Sequence, residues 1–360
     1  MATCALCQRS GFLLSIDQNE LCENCAGLFG NNYDLLNSFR RQLVFCRQPK
    51  DILGHILTKF QNTRNLTEIL EKKDLRSRWE RIVKCDLQEY FSFLTKRGYI
   101  QKANACEILE KELSDSEMKS LLKEIGQSPE GNKFDMAKHI LCHLPHFMDA
   151  YQNQNYYVCS HDGMALAEFY RSNQRNWNFE TAKVIFFLIS REAFLPAFQV
   201  MVNHALSQIE LPENDMNWRR FDPQEKTSLM KFIYQRDLSK YGLNDTDEIL
   251  SRNFAAFSMI FRDETFEDTI IGPDTSLNKN FFRSVTDTIS YCEMQYEIQK
   301  IMSIKKHVKY IQIEPANDTF VCPACREAAE KLYSIDALPE IPVKECTSEI
   351  GCRCKIRVIV

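Results

Sequence analysis

Cys4-Ala-Leu-Cys7, followed after fourteen residues by Cys22-Glu-Asn-Cys25, is the stretch from which the rest of the chain is best read. A C-x2-C turn aims two thiolates at one point. Two such turns supply four soft ligands in the tetrahedral arrangement that zinc prefers. Gly11 and Ile16-Asp-Gln-Asn19 predict a short hairpin between the two knuckles. A redox C-x-x-C occurs singly at a strand-to-helix junction, so the doubled spacing points to metal.

The other end carries Cys322-Pro-Ala-Cys325, then Cys346, then Cys352-Arg-Cys354, which is five cysteines for four positions. Cys322, Cys325 and Cys352 are the first choice, with either Cys346 or Cys354 completing a second zinc site. The run Tyr310-Ile-Gln-Ile-Glu314 alternates as a strand does, and Lys355-Ile-Arg-Val-Ile-Val360 alternates again, which predicts pairing between them. Between the cysteines, residues 332–342 read as a wrapping loop with little core, so metal supplies the stability that burial does not.

Residues 321–360, with the strand before them, resemble the C-terminal cysteine module of phage head-morphogenesis (minor capsid) proteins. The shared elements are Cys322 and Cys325, Leu332-Tyr333-Ser334-Ile335-Asp336, the pair Pro339 and Pro342, and Cys352-Arg353-Cys354. Where that family shows His-Pro-Asn before the last cysteines, this chain has Cys346 through Gly351. The resemblance covers about a ninth of the chain. It implies a zinc module, and it raises the alternative of an assembly protein whose tail docks a protein partner.

Composition bounds the rest. With 360 residues, 44% hydrophobic and 26% charged, the chain is a folded one with room for several domains. No run of eighteen apolar residues occurs and the first thirty positions lack a signal-peptide core, so the expectation is a cytoplasmic protein with no membrane partner. Nine of the fifteen cysteines fall in the two clusters. The others, Cys46, Cys85, Cys106, Cys142, Cys159 and Cys292, are expected to be small buried hydrophobes rather than disulfides. Residues 35–84 hold twelve Lys+Arg against five Asp+Glu, whereas residues 205–275 hold eight against fourteen. The asymmetry is read as a polyanion-facing side.

Apolar residues recurring every three to four positions predict helices over 32–45, 52–60, 66–72, 79–95, 163–174, 179–209, 223–241, 245–261 and 280–305. Pro196 predicts a kink or break in the 179–209 segment. Phe186, Phe187, Phe194 and Phe198 are read as core packing. The fold class is therefore mainly α, a multi-domain helical protein with two small zinc-binding modules, an N-terminal double knuckle and a C-terminal β- and loop-rich one. The segments are an N-terminal zinc module (1–31), a basic helical region (32–112), a helix–loop–helix (113–144), a helical domain (160–306) and the C-terminal zinc module (308–360).

Within 113–144, Leu122-Lys123, Gly126, Gly131 and Lys133 stand at a distinctive spacing. The pattern resembles a SAP domain, a short helix–loop–helix that binds DNA. Gly126 can take the left-handed conformation that ends a helix, and Gly131 permits close backbone approach before a helix starting near Phe134. The N–H groups of that helix start, with Asn132 and Lys133 beside them, suit a phosphate oxygen. Lys119 and Lys123 lie one turn apart on the first helix and can contact the same strand. Where the family carries Leu, Lys and Arg, this chain has Gln127, Asn132 and His139. Fewer cations predict weaker binding to duplex DNA.

No hydrolase, zinc-protease, phosphate-loop or dinucleotide motif is present. His161-Asp162 reads as a turn or cap pair, and Glu297 with Lys300 as a helical surface pair. The leading expectation is a zinc-containing DNA-binding protein. The assembly protein comes second, and an unrecognised nuclease third.

Overall fold

The structure is a computed structural model that describes residues 1–209, 223–261, 266 and 279–359. Parts of the 160–306 segment, and Val360 at the end of the alternating tail, lie outside the described residues. The protein is mainly helical. It divides into two compact units. One is Pro49–Asn176 with the described part of Gln208–Glu210. The other is Met1–Gln48, Trp177–Ser207 and the described part of Leu211–Val360.

The chain opens with β1 (Ala2–Thr3) antiparallel to β2 (Ser10–Gly11), then α1 (Glu23–Phe29) and α2 (Tyr33–Arg47). Asn32 caps α2, its side chain accepting from Leu35 N–H at 3.1 Å. The Pro49–Asn176 unit then holds α3 (Ile52–Phe60), β3 (Arg64–Asn65), α4 (Leu66–Glu71), α5 (Lys73–Val83), α6 (Leu87–Lys96) and β4 (Ile100–Lys102). After these come α7 (Ala105–Glu112), α8 (Asp115–Glu124), α9 (Lys133–His143), β5 (Tyr156–Cys159) and the start of α10 (His161–Ser190).

Two expectations for this unit are corrected. The helix read over 79–95 is two helices, α5 and α6. Lys84 takes a left-handed φ of 56°, and the Asp86 side chain accepts Glu89 N–H at 3.0 Å to start a new helix. The periodicity of both pieces is the same, so only the cap at Asp86 marked the break. The second correction is a three-stranded antiparallel sheet, order β3-β5-β4, which was not expected. Its strands are two to four residues long, too short to show alternation.

Two cores hold this unit. Ile56, Leu57, Phe60, Trp79, Leu87, Phe91 and Leu94 form the larger, with Phe60, Trp79 and Phe91 meeting edge to face. Leu109, Met118, Leu122, Met136, Ala137 and Ile140 form the smaller, beneath α7, α8 and α9. Gly163, in the first turn of α10, marks a close approach. A Cβ there would stand 1.9 Å from the Tyr99 carbonyl oxygen and 2.9 Å from its carbon, both backbone atoms. Gly163→Ala is therefore expected to cost about 3 kcal/mol, the upper end for overpacking. A urea titration showing an unchanged midpoint would contradict this close approach.

The other unit continues from Trp177 in α10 through α11 (Phe194–Ser207), α12 (Pro223–Gln235), α13 (Asp245–Ile260) and α14 (Lys279–Ser303). It ends with β6 (Tyr310–Glu314), α15 (Pro323–Ala329), β7 (Leu332–Tyr333) and β8 (Lys355–Ile359). The break expected at Pro196 falls earlier, between Ser190 and Phe194, where Glu192 has φ 56°. Pro196 sits in the first turn of α11, where the missing N–H breaks no intrahelical bond. Phe198 is buried, and Phe186 meets Phe254, Phe257 and Phe266 at tilted or edge-on angles, so this aromatic set is core.

Strand β6 is the centre of a three-stranded antiparallel sheet, order β7-β6-β8. Tyr310 pairs with Ile359 and Glu314 with Lys355, the pairing predicted from the two alternating runs. Among the described residues, no helix is long and apolar enough to cross a membrane. All fifteen cysteines are free of disulfides. Of the six scattered ones, only Cys159 and Cys292 are buried, Cys46 and Cys106 are half-buried, and Cys85 and Cys142 are exposed. The last two correct the expectation of a uniformly buried set, because Cys85 lies in the link between α5 and α6 and Cys142 is on the solvent side of α9.

Candidate metal centres

Cys4, Cys7, Cys22 and Cys25 converge with all four sulfurs within 4.8 Å of one another. Cys7 and Cys22 are 3.8 Å apart. The first knuckle is closed by Gln8, whose φ of 58° turns the chain so that its N–H reaches Cys4 O at 2.9 Å. The β1–β2 ladder wraps this knuckle instead of lying between the two, which corrects the hairpin read around Gly11. A bridge between Ile16 and Cys22 shapes the second knuckle. Within it the Asp17 carboxylate accepts Asn19 N–H at 2.8 Å and Leu21 N–H at 2.9 Å.

The two knuckles are joined by backbone. Ala5 N–H donates to Glu20 O at 2.8 Å, and Cys22 N–H points at Cys4 Sγ from 3.3 Å. Cys22 is the residue before α1 and Cys25 lies in its first turn, so the start of one helix positions both thiols. Burial opposes ionisation of Cys4, yet N–H groups from Cys7, Cys22 and Leu6 outweigh it and bring the thiol down to about 7. Burial and its sulfur neighbours push Cys25 up. Sulfurs this close cannot all carry charge without a cation among them.

The C-terminal cluster brings five sulfurs together. Cys322, Cys325 and Cys346 form one group within 4.8 Å, and Cys325, Cys352 and Cys354 form another, with Cys325 common to both. The Cys322–Cys346 separation is 3.7 Å, while Cys325 is 3.8 Å from Cys346 and 3.8 Å from Cys352. As in the first site, a C-x2-C straddles a helix start, with Cys322 before α15 and Cys325 in its first turn. Burial works against Cys322 ionising, but the Cys325 and Thr347 N–H groups bring it down to about 7. Hydrogen bonding among the sulfurs drives Cys352 down and Cys325 up. Of the sequence choices, Cys322 and Cys352 fall in different groups, and Cys346 and Cys354 are both within reach of Cys325.

The residues that hold the last cysteines in place come from α14, and the sequence reading missed them. Asp287, fully buried, accepts Cys352 N–H at 2.6 Å and is also hydrogen-bonded by the Tyr241 hydroxyl. Lys240 Nζ is 3.8 Å from it and Arg283 Nε 4.0 Å. Ser290 donates to Cys352 O, and Arg283 Nη2 to Cys346 O at 2.5 Å. Gly351, with φ 88°, leaves no room for a Cβ, which would stand 2.6 Å from Thr286 Cβ. One signal was available. Ser284, Asp287, Thr288 and Ser290 are small polar residues at near-helical spacing within an otherwise mixed helix, and all four are buried.

The predicted phosphate-contacting residues belong to the other unit. Lys119 and Lys123 are exposed on α8. Gly126 and Gly131 have φ of 73° and 104°, and Asn132 caps α9 by accepting Asp135 N–H at 2.9 Å. Lys133 Nζ lies 4.0 Å from an Asp115 carboxylate oxygen. In the basic stretch 35–84, Arg41, Arg47, Lys72 and Arg76 pair with Glu180, Glu20, Glu68 and Glu80. His161 and Asp162 stand exposed at the start of α10, and Glu297 pairs with Lys300 at 3.1 Å on α14.

The architecture can hold metal ions at both cysteine clusters. No family model matches the chain, and neither a curated protein nor a solved structure matches it.

Proposed function

We propose that both clusters hold zinc in a structural role, and that the protein contacts duplex DNA through the helix–loop–helix at 113–144. The sulfur geometry carries the zinc reading. Four thiolates around zinc at about 2.3 Å have edges of about 3.8 Å, which matches the Cys7–Cys22 separation of 3.8 Å. An all-cysteine set closed by protein suits a structural ion, since a catalytic one keeps an open position. Elemental analysis of freshly purified protein is expected to find zinc, and its absence would remove this reading.

The DNA reading rests on the exposed start of α9, opened by the left-handed turn at Gly131, with Lys133 beside it and Lys119 and Lys123 on α8. A phosphate contact positions the protein without reading bases. Lys133→Glu is therefore expected to weaken duplex binding similarly across unrelated sequences. The salt slope is expected to become shallower by about one unit. Stability should barely change, because a lysine at a helix start opposes the helix dipole. Mobility shifts across a salt series measure both effects.

One observation favours the assembly-protein reading. Residues 113–144 carry four lysines against five carboxylates, and four cations of the 35–84 stretch are already paired. A near-neutral motif gives a duplex little electrostatic pull, and a protein partner needs none. If Lys133→Glu folds normally and binds duplex DNA with unchanged affinity and salt dependence, the C-terminal module docking a protein becomes the better account.

A further inference from the structure

The C-terminal cluster differs from the N-terminal one in a way that its extra cysteine makes chemical. Three chain segments supply the sulfurs as two, one and two. Cys322 and Cys325 come from the start of α15, Cys346 from the turn closed by its N–H to Val343 O at 2.9 Å, and Cys352 and Cys354 from the approach to β8. All five are at least nine-tenths buried. In the N-terminal site all four sulfurs form one group, but here the five form two triads with Cys325 common to both, and the Cys346 and Cys352 thiols also interact across them.

Resting on the zinc reading above, we infer that this cluster takes two soft d10 cations, one in each triad, bridged by the Cys325 thiolate. A thiolate sulfur has lone pairs for two metals. Cys325 has sulfur neighbours on both sides, Cys346 at 3.8 Å and Cys352 at 3.8 Å. Three sulfurs at about 2.3 Å from an ion in their plane have edges of about 4.0 Å, and about 3.8 Å when the ion rises towards tetrahedral geometry. The observed 3.7 and 3.8 Å separations fit the second case.

Charge balance favours the same answer. One divalent ion among five buried thiolates leaves a net charge of −3, or else a buried thiol with no role in ligation. Two divalent ions leave −1. Burying uncompensated charge is what a low-dielectric interior penalises most, so the second ion lowers the cost of the fifth sulfur.

Native mass spectrometry of the full chain, titrated with Zn2+ or Cd2+, tests this. Three ions per chain are expected, one at the N-terminal site and two at the C-terminal one. Cys354→Ser and Cys346→Ser should each lower the count to two, and Cys22→Ser should lower it by one independently. With 113Cd, two of three resonances should split each other through the shared sulfur, and the splitting should vanish in Cys325→Ser. A count of two with no mutual splitting overturns the bridged pair while leaving one zinc per cluster standing. If no ion is assigned to the C-terminal cysteines, the zinc reading of that cluster fails with it.

Discussion

Asp287→Ala is expected to destabilise the unit that carries both clusters by about 3–5 kcal/mol, the range for removing one partner from a buried charged network. The carboxylate is fully buried and has four dependants. It accepts Cys352 N–H and the Tyr241 hydroxyl, and it faces Lys240 at 3.8 Å and Arg283 at 4.0 Å. Alanine leaves a buried N–H and a buried hydroxyl without their acceptor, and removes the negative charge beside Arg283 and the half-exposed Lys240. Because Cys352 is positioned by that bond, the same change is expected to weaken metal retention at the C-terminal cluster about 10–100-fold. Asp287→Asn keeps an oxygen for Cys352 N–H but loses the charge, so its loss should be intermediate. Denaturant unfolding and chelator competition read the two effects. A variant with wild-type stability and wild-type metal retention would remove Asp287 from this role.

Chelation is expected to unfold more than the ends. Read from sequence, the cysteine modules are separable, and metal removal loosens the termini while the central helices stay folded. The structure places Cys4, Leu6, Leu21, Cys22, Cys25 and Phe29 in one continuous core with Val184, Leu188, Phe198, Met201, Phe257 and Tyr296. Structural zinc contributes about 10–16 kcal/mol of binding free energy in small modules, comparable to or above a whole domain's stability of about 5–15 kcal/mol. Losing it removes one wall of that core. Hydrogen exchange with a strong chelator should therefore rise across 184–202 and 254–260 together with 4–29. The cores around Phe60 and Leu122 belong to the other unit and contain none of the cluster cysteines, so 56–60, 87–94 and 118–140 should stay protected. Rapid exchange confined to 1–31 and 308–360 would show that the modules are separable after all.

What was legible in the sequence was local. The C-x2-C spacings found both cysteine clusters because two thiols three residues apart must point together at a helix start or a tight turn. The helix starts read near Asn32 and Ile52 fell where the Asn32 and Asp51 side chains accept from following N–H groups. Alternation in 310–314 and 355–359 found a strand pair, since period-two patterns survive whenever one face is buried. The split at Asp86 went unread because a cap inside a continuous apolar period is a single residue against many. The sheet built on Tyr156–Cys159 went unread because its strands, two to four residues long, span at most two periods of alternation.

The tertiary structure decided what spacing cannot express. Spacing brought five cysteines to one end but could not say how they divide. Their grouping into two triads around Cys325 depends on the turn at Val343–Cys346 and on how β8 aligns with β6. Nor could it supply Asp287, which lies 65 residues before the N–H that it receives and carries no motif of its own. Local chemistry is written in neighbours along the chain, and the sequence alone determined the helical character of most segments and the presence of two thiol clusters. Which thiols share a sulfur neighbour, and which buried carboxylate holds them, are contacts between distant segments, set only when the helices close around a common core.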